Sequence, residues 1–304
     1  MTEHCLRVSN LSKSYGPVAA LRHVNFTIAP AERVALIGHN GAGKTTLIKL
    51  LLGLTKPSAG ALDIFGVPPG SPIARQHYAY LPENMVFAKN LTAREQLMHL
   101  LRLKGEPTGQ CAKLLERVGI ADAADRRIGT YSKGMRQRLG LAQLLIGRPR
   151  IVILDEPTSG LDPVSRHLCY EIIAELADNG AAVLLSSHVL TELEAQTDRI
   201  IVLKQGELTA DGTLRDLRRQ AELKTKINIK TRPGKVADVV SKVGGHRLNG
   251  SSVVIDITDE AKFSQICALS EFQELIEDID VQPPGLEELY HHFSRSGSTL
   301  ENDQ

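Results

Sequence analysis

Residues 33–46 read RVALIGHNGAGKTT. The first five form a short apolar run after Arg33, the pattern of a buried strand. The last nine, Gly38 to Thr46, fit G-x-x-x-x-G-K-[ST], and a helical pattern follows. A strand that breaks into glycines and then opens a helix is the context this motif requires. Gly38, His39, Asn40, Gly41, Ala42, Gly43, Lys44, Thr45 and Thr46 are therefore candidate phosphate-binding residues. The glycines let backbone N–H groups curl round phosphate oxygens, and the helix N-terminus adds a favourable field. Lys44 is placed to reach β- and γ-phosphates, and Thr45 to ligate Mg²⁺.

The rest of the chain fits an α/β protein built round that turn. IVILDE (Ile151–Glu156) and AAVLLSSH (Ala181–His188) are further apolar runs followed by helical patterns. Strand then helix, repeated, predicts a parallel sheet with helices on both faces. LRVSN, HVNFTIA and IIVLKQGELTADG, with a turn near Gly206, read as antiparallel strands. Leu91–Gly119 is a short helical segment. Near Leu217 the style changes, and LRRQAELKTK reads as a charged connector. Beyond it come a strand (Lys226–Thr231), a helix opening at Pro233 and a hairpin turned by Asn249-Gly250. A helix (Glu260–Ser270), a strand (Leu275–Val281) and a last helix from Pro284 follow. This β-α-β-β-α-β order predicts a small ferredoxin-like domain. The expected divisions are 1–217, 218–293 and a disordered polar tail, 294–304.

Composition excludes some functions. The chain has 304 residues, with 36 Lys+Arg against 35 Asp+Glu and a formal net charge of +1. Nucleic-acid binding along a surface usually needs a basic excess, so no nucleic-acid partner is expected. The cysteines, Cys5, Cys111, Cys169 and Cys267, are scattered without a C-x-x-C pair. That argues against a disulfide framework and suits a reducing compartment. No apolar run approaches the ~20 residues needed to span a bilayer, and the first ten residues have no apolar signal core. The expectation is a chain at the cytoplasmic face of the inner membrane, held there by a membrane subunit.

IVILDEP ends in Asp155 and Glu156 at the carboxyl end of a strand, where open α/β sheets bind ligands. Alone this is an exposed acidic strand end. With the glycine-rich turn upstream, Asp155 suits an outer-sphere or direct Mg²⁺ contact, and Glu156 suits polarising an attacking water. His188 ends a neighbouring strand on the same edge and suits a γ-phosphate contact.

Taken in order, GHNGAGKTT, YSKGM (Tyr131–Met135), LDEP, SGLD (Ser159–Asp162) and His188 resemble the ATP-binding cassette family of transporter ATPases. The resemblance covers Cys5 to Leu217. It implies a P-loop NTPase fold of ABC type, with a mixed sheet, an antiparallel β subdomain and a helical subdomain. It also implies ATP and Mg²⁺, and a homodimer in which ATP on one cradle is closed over by the signature motif of the other copy. YSKGM stands at the signature position, usually Leu-Ser-Gly-Gly-Gln. Ser132 and the Gly134 N–H then contact the partner's γ-phosphate, flanked by Lys133 and Met135. Those two depart from the commonest form, which implies weaker or more specialised use of ATP. Arg136 and Arg138 read equally well as structural side chains. Tyr15 matches the aromatic that stacks on adenine, and Asp162 matches the residue that communicates across the dimer. Glu83, in YLPEN, stands where most of the family has Gln, a side chain that touches Mg²⁺ and water; its carboxylate can still ligate Mg²⁺.

Within the family, GHNGAGKTT, YLPEN, ADRRIGTYSKGMRQRLGLAQ and the Leu-Glu-Glu-Leu-Tyr end resemble the NosF-type cassettes. That likeness implies an ABC-2-type, NosY-like membrane subunit and a NosD-like periplasmic protein. The role implied is assembly of the copper site of nitrous oxide reductase in denitrification. His291 and His292 are adjacent, so on a helix they point about 100° apart and read as surface residues, with copper left to the partners. The alternatives are a drug or lipid exporter cassette and a soluble cassette ATPase acting on ribosomes or DNA. The latter usually carries two cassettes or a long coiled-coil insertion, whereas this chain has one cradle and one signature.

Overall fold

The computed structural model describes residues 4–258 and 260–295. The chain divides into two compact units, Met1–Thr213 and Leu214–Gln304. In the first unit β1 (Leu6–Tyr15) and β2 (Val18–Ile28) form an antiparallel hairpin. Next come β3 (Arg33–Ile37), α1 (Lys44–Leu51) and β4 (Ala59–Ile64), which returns to pair with β1. The helical segment follows α2 (Pro72–His77) and β5 (Tyr78–Leu81), and comprises α3 (Ala93–Leu103) and α4 (Cys111–Arg117). Then come α5 (Lys133–Leu144), β6 (Ile151–Asp155), α6 (Pro163–Asp178), β7 (Ala182–Ser186) and α7 (Leu190–Gln196). The hairpin β8 (Arg199–Lys204) and β9 (Glu207–Gly212) ends the unit.

Two sheets result: β2-β1-β4, and a six-stranded sheet in the order β5-β6-β7-β3-β8-β9. In the larger sheet all neighbours are parallel except β8 and β9. The sheet is thus mixed, where the repeating strand–helix pattern alone predicts a parallel one. Its middle strands are buried almost throughout, which is why RVALI, IVILD and AVLLS are continuous apolar runs rather than alternating ones. α3 is started by a reciprocal cap: the Thr92 hydroxyl accepts from Glu95 N–H, and the Glu95 carboxylate accepts from Thr92 N–H at 2.8 Å. β4 and β5 escape the sequence patterns. One opens on the weak strand formers Ala-Gly-Ala and the other is four residues long.

The second unit begins with a helix, α8 (Leu214–Ala221), where the sequence reads as a charged connector. Its apolar residues Leu217 and Ala221 are buried, and Arg218 Nε donates to Pro284 O at 2.6 Å. The division therefore falls at Thr213/Leu214 rather than after Leu217. β10 (Thr225–Thr231), α9 (Val236–Val243), β11 (His246–Asn249), β12 (Ser252–Ile257), α10 (Lys262–Leu269), β13 (Ile276–Gln282) and α11 (Leu286–Arg295) complete it. The sheet order is β11-β12-β10-β13, antiparallel throughout. Ile227, Ile229, Val239, Val253 and Leu269 form its core. The expected tail starts too early, because α11 runs on through Ser294 and Arg295; 296–304 lie outside the described residues. Among the described residues no helix is long and apolar enough to cross a membrane.

Arg199 joins three segments of the first unit. Its guanidinium donates to Asp211 Oδ2 at 2.6 Å, to Glu32 Oε1 at 3.1 Å and to Thr27 O at 2.9 Å. The side chain is only 22% exposed. Arg199→Ala would leave two carboxylates without their cation. It should cost about 3 kcal/mol of stability, read from urea denaturation.

Candidate functional site

The glycine-rich turn forms one wall of a cavity of about 750 Å³, within the usual range for ligand sites. His39, Asn40, Gly41, Gly43, Lys44, Thr45 and Thr46 line it. Gly43 caps α1 at φ +109° without a side-chain hydrogen bond, so the amides of the first turn are available to an anion. A Cβ at Gly43 would lie 2.8 Å from Ala20 O, so only glycine lets β2 approach. The turn is braced from behind by the β8–β9 corner: Gly206 N–H donates to Ala42 O at 2.9 Å, and Arg22 N–H donates to Gly206 O at 2.8 Å. Ala42 takes part in this brace and is fully buried, and a Cβ at Gly38 would lie 2.6 Å from Leu203 O; neither residue lines the cavity.

Lys44 lies back along the turn, its ammonium donating to the carbonyl oxygens of Gly38 and His39. Burial pushes its pKa down from the ordinary lysine value, and the Glu156 and Asp155 carboxylates partly counter that. The opposite wall is Val18, Ala19, Ala20 and Arg22 of β2, with Gln205 from the β8–β9 corner. Sequence reasoning missed these. Tyr15 is not in the wall. It stands at the adjoining end of the β1–β2 hairpin, 48% exposed, with the Lys13 ammonium 4.9 Å from its ring centroid.

Glu83, Asp155 and Glu156 close the cavity. The parallel register of β6 on β7 sets Asp155 beside Ser186. Ser186 Oγ donates to Asp155 Oδ1 at 2.7 Å and accepts from Glu156 N–H at 3.1 Å. Ser186 was not picked out from the sequence, although the doubled serine of LLSSH at a strand end is a usable signal. Glu156 has φ +50°, a left-handed conformation uncommon for a non-glycine residue. That turn aims its carboxylate at His188: Oε2 lies 2.6 Å from Nδ1 and accepts from His188 N–H at 3.2 Å. Glu156 is 14% exposed and His188 66% exposed, so the histidine faces outward. Thr45 and Asp155, with Glu83 beside them, offer hard oxygen donors. They fit Mg²⁺, which usually takes one or two protein oxygens and fills its sphere with phosphates and water.

The signature stretch lies apart from these lining residues. Ser132 caps α5, its hydroxyl accepting from Met135 N–H at 3.2 Å. Arg136 donates to Tyr131 O at 2.6 Å, and Arg138 donates to Ser165 Oγ at 3.2 Å and Val118 O at 3.4 Å. Both arginines hold the fold together. Buried Gln137 ties α5 to the LDEP turn through Pro157 O at 2.7 Å. A Cβ at Gly134 would meet its own chain at no less than 3.7 Å. Nothing within the chain therefore requires glycine there. Asp162 caps α6, accepting from Ser165 N–H at 2.9 Å and Ser165 Oγ at 2.7 Å, and the Ser165 N–H holds its carboxyl below the usual range.

The chain is similar to known proteins over most of its first unit. A family model described as "ABC transporter" matches residues 21–159. The chain is 40% identical over 221 residues to the uncharacterized ABC transporter ATP-binding protein YxlF of Bacillus subtilis (strain 168), covering 71% of this chain and 74% of that protein. It is 36% identical to the Nod factor export ATP-binding protein I of Rhizobium sp. (strain N33), over 70% and 72% of the two chains. Among solved structures, an ATP-binding subunit of an ABC transporter superposes with TM-score 0.68 at 36% identity, covering 71% and 92%. A dimeric post-hydrolysis state of the cassette MJ0796, bound to ADP and Pi, superposes with TM-score 0.64 at 25% identity, covering 69% and 99%.

The Ser186 hydroxyl is the brace that sets the two acidic residues. Ser186→Ala should lower stability by about 1–3 kcal/mol, because Asp155 loses a buried donor. Urea denaturation reads the loss; an unchanged midpoint would mean that water replaces the hydroxyl at no cost.

Proposed function

The chain belongs to the ABC transporter family as an ATP-binding subunit, and from that premise we propose that two copies close head to tail around two ATP molecules and hydrolyse them to drive a membrane subunit. The observation that carries this reading is the Glu156–His188 contact of 2.6 Å at the rim of the cavity that holds Lys44 and Thr45. The first-turn amides of α1 and the Lys44 ammonium bind the β- and γ-phosphates. Thr45 and Asp155, with Glu83, would hold Mg²⁺, which would supply charge neutralisation at the phosphates. Glu156 takes a proton from water as the water oxygen bonds to the γ-phosphorus and the bond to the ADP oxygen breaks, leaving ADP and inorganic phosphate. His188, oriented by Glu156, contacts the γ-phosphate. Ser132 and the Gly134 N–H of the second copy complete the site, which accounts for a glycine that its own chain does not need. Asp162 lies on that same face, and Tyr15 stacks on adenine.

Closure by differential contact follows: ATP gains the second copy's signature only in the closed dimer, and hydrolysis removes those contacts. The Glu83 loop passes the movement to the membrane subunit. We read that subunit as ABC-2-type and NosY-like, with a NosD-like periplasmic protein in the same complex. The cassette would then sit on the cytoplasmic face of the inner membrane and serve copper-site assembly of nitrous oxide reductase. The support is the set of stretches quoted above. A second reading, an exporter cassette, has its own support in the Nod factor export relatives at 36% identity. Tagged chain pulled from its native membranes separates the two by the membrane subunit that accompanies it. The second unit is read as a ferredoxin-like domain on its β-α-β-β-α-β order and its sheet order.

Glu156→Gln should keep ATP binding and lose roughly 10²- to 10⁴-fold in hydrolysis, as expected for removal of a general base. Normal turnover by this variant would remove Glu156 from that role. A mixing experiment tests the shared site. Lys44→Ala and Gly134→Asp should each be inactive alone. In a mixed dimer one site collects both lesions and the other is intact, so mixing should recover part of the activity. Mixed dimers that form and stay inactive would count against a signature acting across the dimer.

A further inference from the structure

The ATP cavity of a single chain is acidic. Three carboxylates, Glu83, Asp155 and Glu156, line it against two cations, Arg22 and Lys44. Arg22 also lies 3.7 Å from the Glu207 carboxylate, and Lys44 is held on two carbonyl oxygens. A bound triphosphate adds more negative charge than one Mg²⁺ would offset. Such a half-site gains when a cation enters from outside the chain.

Lys133 is suited to that task. It opens α5 directly after Ser132, on the face assigned above to the neighbouring site. Its side chain is exposed, and its ammonium rests in the space that a Cβ at Gly160 would fill. The other two basic residues of the stretch are committed to their own chain, Arg136 to Tyr131 O and Arg138 to Ser165 Oγ. Lys133 has no such bond among the described residues. A lysine ammonium is a compact charge with three donors on a flexible stem, able to leave a glycine turn at little cost.

We infer that Lys133 of one copy enters the ATP cavity of the other, where it faces the Glu83 carboxylate and the γ-phosphate as a matched charge pair across the shared site. This rests on the two-copy closure proposed above. The pair joins two departures that the resemblance to the family implies separately: a carboxylate in place of a neutral glutamine at 83, and an ammonium in place of a glycine at 133. Compared with a neutral glutamine, a carboxylate there adds one negative charge beside the triphosphate, which a cation entering from the other copy offsets. On this account Lys133 strengthens ATP-driven closure, contrary to the weakening that its departure from the common signature implies.

The test uses the full chain with Glu156→Gln, so that bound ATP persists, and measures dimerisation by sedimentation velocity across ATP and salt concentrations. Lys133→Gln should raise the ATP needed for half-dimerisation about tenfold and flatten its salt dependence, while Lys133→Arg keeps most of the response. In a Glu83→Gln background the same change should cost less than about threefold, because the two residues act on one another. Melting temperature and ATP affinity of the monomer should not move. Equal losses in both backgrounds would overturn the pairing with Glu83, and no loss in either would overturn entry of Lys133 into the site. Gly134→Asp separates this inference from the reading beneath it. If Gly134→Asp dimerises like its parent, or the parent stays monomeric in ATP, two-copy closure itself fails. If Gly134→Asp stays monomeric while Lys133→Gln behaves like the parent, only the role of Lys133 fails.

Discussion

A buried hydroxyl holds the acidic end of the large sheet in place. Ser186, 1% exposed, donates to the Asp155 carboxylate and receives the Glu156 N–H. Both bonds exist only because β6 and β7 pair in one register, Asp155 opposite Ser186. A slip of one residue would turn the Asp155 carboxylate to the other face, since side chains alternate along a strand. The left-handed Glu156 is sustained by this brace together with a backbone bond from its N–H to Ser186 O at 3.1 Å. His188, two residues beyond Ser186, is then within reach of the Glu156 carboxylate. The Glu156–His188 geometry is thus a consequence of strand pairing.

The cradle depends on the same sheet from the other side. β3 feeds the glycine turn, while the β8–β9 corner and β2 press on it through Gly206 and Ala20. These contacts are backbone to backbone, so they leave the amides of the first turn of α1 pointing into the cavity. Lys44 rests on carbonyl oxygens there, and burial pushes its pKa down by disfavouring the charged form.

α5 is tied to its own chain along its length and open at its start. Gln137 holds it to the LDEP turn, and Arg136 and Arg138 hold it to the preceding loop, α6 and the end of α4. Met85, from the loop that carries Glu83, sits where a Cβ at Gly140 would be. α5 therefore packs against both acidic segments of its own cavity, while Ser132 and Lys133 at its start are exposed.

Much of this was legible without a structure. The strand–glycine–helix pattern of residues 33–46 and the apolar run ending in Asp155-Glu156 identify themselves, because buried parallel strands must be apolar and phosphate turns must contain glycine. The alternating SVVIDI arm after Asn249-Gly250 placed the second unit's hairpin for the same kind of reason. Residues whose roles depend on distant neighbours were not legible. α8 looks like a charged linker until Leu217 and Ala221 find a surface to cover, and β5 is too short to carry a pattern of its own. Ser186 is an ordinary serine until register sets it beside Asp155, and the basic stretch after Tyr131 is ambiguous until Arg136 and Arg138 find their oxygen acceptors. Local chemistry is written along the chain, but hydrogen-bond partners 20 or 30 residues apart, such as Gln137 with Pro157 and Ser186 with Asp155, are chosen only when the sheet closes and water is excluded from between them.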